Sequence, residues 1–117
     1  MQNSRYKVNA TLEKQLKRAL YQLLVDLKST TDAETVLVDL LSNAELTSIS
    51  KRLGIAYWLT SGRSYDNIKQ NLKVSSATIA DIKDHIKKPG WKLAIQKITA
   101  DEWATAWEAR IKSVFKK

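Results

Sequence analysis

The chain has 117 residues, 44% of them hydrophobic, and carries 20 Lys plus Arg against 12 Asp plus Glu, a formal charge of +8 with a pI near 9.8. That is enough apolar material for one packed core, and the charge favours a polyanionic partner, with solubility as the plainer reading of part of it. The absence of cysteine excludes disulfides, thiolate chemistry and Cys-based zinc sites, and no run approaches the roughly 18 apolar residues of a membrane span, so a soluble, cytoplasmic protein is expected.

Three Gly and one Pro leave little room for hairpins, so the expected fold is all-α, a single helical domain over residues 1–117. A first helix, about Ala10 to Leu27, aligns Leu12, Leu16, Leu20, Leu23, Leu24 and Leu27 in one stripe opposite Lys14, Lys17, Arg18 and Lys28. Thr31-Asp32-Ala33-Glu34 has capping-box spacing and opens a second helix through Leu41; Ser42-Asn43-Ala44-Glu45 repeats the device. The third helix runs to about Thr60, with Leu46, Ile49, Leu53, Ala56 and Leu59 expected inward and Gly62 placed to end it. Ser64 caps a fourth helix, Ser75 or Ser76 a fifth, and Pro89-Gly90 stops the fifth. A short sixth helix lies near Trp91 to Ile98. Thr99-Ala100-Asp101-Glu102 then opens a last amphipathic helix striped by Trp103, Ala106, Trp107, Ile111 and Val114, so residues 89–117 form a C-terminal helical extension.

Residues 64–88 carry the pattern that bears on function. Ile68, Leu72, Val74, Ile79 and Ile82 fall where a helix-turn-helix needs them to pin two short helices at a fixed angle. Residues 63–90 hold six cations against three carboxylates, and the second helix of the motif offers small side chains at the end whose free N–H groups can meet a phosphate. Double-stranded DNA is therefore the expected partner. Arg63, Lys69, Lys73 and Lys83 are the candidate phosphate contacts. Ser75, Ser76, Ala77, Thr78, Ala80 and Asp81 are the candidate base contacts: hydroxyls donate or accept, Ala77 and Ala80 touch a thymine methyl, and Asp81 accepts from a cytosine amino group. None is a bidentate reader, so modest, water-mediated or shape-based specificity is expected. For the serines, helix capping is an equally good reading. Lys73 stands where the commonest version of the motif has a turn glycine, at a cost on the order of 1 kcal/mol.

The corner LLSNAEL at 40–46, the run ISKRLGIAYWLTSG at 49–62 and KVSSATIADI at 73–82 together resemble the Trp repressor superfamily over residues 36–88. The likeness is greater to uncharacterised bacterial relatives with a Val-Ser-x-Ala-Thr-Ile turn than to the repressor itself. It implies a homodimeric, DNA-binding transcription regulator, nucleoid-associated when bound, whose fourth and fifth helices read DNA while earlier helices make the dimer core. The corepressor pocket transfers poorly. Arg52 and Ser42 match positions that approach the ligand, but Asp81 stands where a second sandwiching arginine belongs and Ile82 where a glycine leaves space. No small-molecule corepressor, and no regulation by tryptophan, is expected.

Asp81 and Asp84 on the same helix weigh against DNA, since a carboxylate facing a phosphate is repulsive; they fit a protein-docking adaptor module, or pairing with Lys83, Lys87 or Lys88. The lone His85 has no second ligand or nucleophile beside it and reads as a surface residue, so no metal, no cofactor and no catalytic group is expected. The four tryptophans suit packing better than base stacking.

Overall fold

A computed structural model describes residues 7–100 and 109–112. They form α1 (Ala10–Asp26), α2 (Thr30–Leu40), α3 (Asn43–Thr60), α4 (Tyr65–Leu72), α5 (Ser76–His85) and α6 (Pro89–Ala100), with 109–112 also helical and no strand among the described residues. The all-α expectation holds. By packing, the chain divides into two units that meet in sequence between Thr47 and Ser48, within α3.

In the first unit, Asn9 caps α1 by accepting the Leu12 N–H at 2.8 Å, and Ser29 caps α2 by accepting the Asp32 N–H at 3.0 Å. The cap of α2 therefore falls two residues before the expected Thr31. Thr31 lies inside the helix, its carbonyl accepting from the Thr35 hydroxyl. Two overlapping Ser/Thr-x-x-acid frames compete here, and the chain uses the first. The second capping box forms as expected. Ser42 N–H donates to Glu45 Oε1 at 2.8 Å, while Glu45 N–H donates to Ser42 Oγ at 3.0 Å. The Ser42 N–H and then its hydroxyl hold the Glu45 carboxyl below its ordinary value. Neither α1 nor α2 contains a buried residue, and the leucine stripe of α1 faces solvent.

The core of the second unit is Ile55, Ala56 and Trp58 of α3, Ile68 of α4, and Ile79 and Ile82 of α5. Leu72, Val74, Ile86, Trp91, Ile95 and Ile111 pack against it. Ile49, expected inward, is 47% exposed; Ala56 is buried as expected, but the expected stripe omitted Ile55 and Trp58, which are as deeply buried beside it. From Leu53 to Leu59 this helix is apolar on nearly every side, so periodicity alone does not choose its buried face.

Gly62 ends α3 with φ +84. Its N–H donates to Leu59 O and that of Arg63 to Trp58 O, the paired closure that a left-handed glycine makes possible. Pro89 stops α5 as expected but also opens α6, occupying a first-turn position where its missing N–H costs nothing. α6 runs through Thr99 and Ala100, so these two do not start a new helix. Asp101, Glu102, Trp103, Ala106, Trp107 and Val114, expected in the last helix, lie outside the described residues.

Candidate nucleic-acid interface

α4 and α5 pack on one another and form the helix-turn-helix. Ile68, Ile79 and Ile82 are fully buried, and Leu72 and Val74 half-buried, so the five apolar positions of the motif do pin the two helices. Complete burial of each isoleucine contributes about 1.5–3 kcal/mol. The start of α4 is fixed by Ser64, whose hydroxyl accepts the Asn67 N–H at 3.1 Å. Its end turns through Lys73 at φ 55, ψ 53, with the Val74 N–H reaching back to Lys69 O. A lysine thus sits in the left-handed region where glycine is favoured.

Ser75, not Ser76, caps α5. Its hydroxyl accepts the Thr78 N–H at 3.1 Å and lies 2.9 Å from the Thr78 hydroxyl. Capping thus occupies Ser75 and orients Thr78. With Ile79 and Ile82 turned inward, helical geometry places Ser76, Ala77, Ala80, Asp81 and Asp84 on the opposite, exposed side, and Thr78 is exposed beside them. Five of the six candidate base contacts are therefore on an open helix surface, and Ser75 is exposed at its tip.

The cations differ among themselves. Lys69 on α4, Lys73 at the turn and Lys83 on α5 are all exposed. Arg63 is half-buried, its guanidinium 4.6 Å from the centre of the Trp58 ring and Nη1 3.5 Å from Asn67 Oδ1. That stack ties the α3–α4 corner to the core. Lys83 extends across the seam to α4, with Nζ 5.6 Å from the centre of the Tyr65 ring. Asp81 is half open to solvent and pairs within its own helix. His85 Nδ1 lies 3.5 Å from Asp81 Oδ1 and 2.6 Å from the Asp81 carbonyl oxygen. The partner of Asp81 is therefore the histidine four residues on, rather than a lysine.

Of the four positions compared with a ligand pocket, Ser42 forms the capping box with Glu45 and Asp81 lies beside His85. Ile82 is 1% exposed within the core, and the Arg52 guanidinium lies 5.7 Å over the indole of Trp91 on α6. Sequence reasoning did not find the Arg52–Trp91, Arg63–Trp58 or Tyr65–Lys83 contacts. Each joins residues on different helices or across a turn, and no single-helix spacing encodes them.

The residues thus build a helix-turn-helix whose second helix is capped and open, with Lys69, Lys73 and Lys83 exposed on α4, at the turn and on α5. The family model described as Trp repressor protein matches residues 14–99, most of the chain. The chain belongs to the Trp repressor family. The match is wider than the 36–88 that carried the resemblance, taking in most of α1, all of α2 and all but the last residue of α6. The Trp repressor family is one of DNA-binding helix-turn-helix regulators, not of enzymes. Comparison with curated proteins and with solved structures gave no match. Among the described residues, no helix is long and apolar enough to cross a membrane.

Proposed function

We propose that this protein is a double-stranded DNA-binding transcription regulator that works as a homodimer and does not respond to tryptophan. The observation that carries the reading is the open face of α5, with Ser76, Ala77, Thr78, Ala80 and Asp81 exposed and Lys69, Lys73 and Lys83 around them. Small side chains let the helix enter a major groove closely, and the lysines neutralise phosphates on either side. Dimerisation is supported by the uncovered leucines of α1.

Independence from tryptophan is supported by Ile82, which fills core space, and by Arg52, whose guanidinium already lies on the indole of Trp91. Anisotropy of a labelled random duplex across a salt series tests the DNA reading. Affinity is expected to fall with a slope of about 0.9 per phosphate contacted. Absence of binding at low salt would sink it. Repeating the titration with free tryptophan is expected to leave affinity unchanged.

A protein-docking adaptor is the second reading, favoured by the exposure of Asp81 and Asp84 on the same face. Asp81→Lys separates the two: it strengthens non-specific DNA binding in a regulator and abolishes partner capture in an adaptor.

A further inference from the structure

Lys83 is the one cation of the candidate interface that is held across the α4–α5 seam by an aromatic ring. The residues three and four positions from it are Ile79 and Ala80 on α5 and Ile86 and Lys87 just beyond its end, none of them acidic. Asp81 turns to His85, and among the described residues no carboxylate pairs with Lys83. The group that does meet it is Tyr65, the first residue of α4, 37% exposed. The backbone under Tyr65 is well anchored. Ser64 caps the helix at its side, and Arg63 behind it stacks on buried Trp58.

A lysine on a flexible four-carbon stem loses much rotamer freedom when a phosphate immobilises it. A carboxylate partner would order the stem in advance but would also cancel the charge that the phosphate needs. A ring face orders it through the quadrupole and leaves the full positive charge in place. We propose that Tyr65 is a positioning residue for DNA binding: it holds the Lys83 ammonium ready for a backbone phosphate without neutralising it. This rests on the DNA-binding reading above.

Three variants of the full chain, Tyr65→Phe, Tyr65→Ala and Lys83→Ala, are compared with the unaltered protein on a random DNA duplex across salt. Tyr65→Phe keeps the ring face and is expected to keep the affinity. Tyr65→Ala is expected to weaken binding about two- to fivefold with an unchanged salt slope, because the lysine still reaches its phosphate. Lys83→Ala is expected to lower the slope by about 0.9 for each copy bound. Added to Lys83→Ala, Tyr65→Ala is expected to do nothing further. Upfield ring-current shifts of the Lys83 side-chain protons, present with Tyr or Phe and absent with Ala, provide a readout without DNA, and unchanged methyl signals of buried Ile68, Ile79 and Ile82 confirm the fold of each variant.

A loss with Tyr65→Phe, or a Tyr65→Ala effect that persists without Lys83, overturns the proposal by making the phenol itself the contact. So does unchanged binding in Tyr65→Ala. If the unaltered protein binds no duplex, the DNA reading itself has failed, whereas binding that is indifferent to Tyr65 removes only this inference.

Discussion

Leu16 and Leu24 of α1 stand 57% and 45% exposed, whereas Ile55, Ile68 and Ile79 in α3, α4 and α5 are fully buried. Both regions are rich in apolar side chains, yet only the second completes a core. The C-terminal part of α3 and the two short helices α4 and α5 enclose a small volume with four isoleucines, one alanine and one tryptophan. A 17-residue helix with its leucines along one face needs a second apolar surface of similar length. Amphipathic patterning thus says that a face will be covered, not that the same chain covers it.

The sharpest way to break the contrast is to hollow the head. Ile68→Ala is expected to cost about 2–5 kcal/mol in denaturant unfolding, as a full cavity opens between α4 and α5. In α1, the paired change Leu16→Glu with Leu20→Glu is expected to leave the head folded and to weaken self-association by about 3 kcal/mol or more, roughly a hundredfold, in sedimentation equilibrium. A dimer of unchanged strength would show that the stripe is not its interface.

Lys73→Gly sharpens the comparison within the head. Relief of the left-handed lysine is expected to raise stability by up to about 1 kcal/mol, while loss of its charge lowers DNA affinity, so the two measurements move in opposite directions.

The smallest effect is expected at the corner before α3. Glu45 has its carboxyl held below the ordinary value of 4.5 by the Ser42 N–H and hydroxyl, so its contribution is complete above that value and is lost as pH falls through the lower folded value. Glu45→Gln is expected to lower the neutral-pH melt slightly and to remove this part of its acid dependence, so that the two proteins converge at low pH.

Much of the head is legible in the sequence because its determinants are local. Ser64, Ser75 and the Ser42–Glu45 box act within one helical turn, and Ile68, Ile79 and Ile82 obey helical spacing. The buried face of α3 is not legible, since Ile55 and Trp58 compete with apolar neighbours on every side. Nor is the difference among the four cations. Arg63 goes to Trp58, Lys83 to Tyr65, and Lys69 and Lys73 to solvent, according to what other helices bring near them. Composition fixes how many charges there are, and packing decides which are free to move.

The two carboxylates on the open face of α5 bear on how such a regulator finds its site. Every stretch of duplex attracts the surrounding lysines equally, and that indiscriminate attraction holds a protein on the wrong sequences of a genome. On the proposed DNA reading, Asp81 and Asp84 subtract from it everywhere, while a cytosine amino group in the right place returns part of the loss at one position. The proposed reading head is thereby expected to leave incorrect DNA quickly, trading overall grip for time spent sampling.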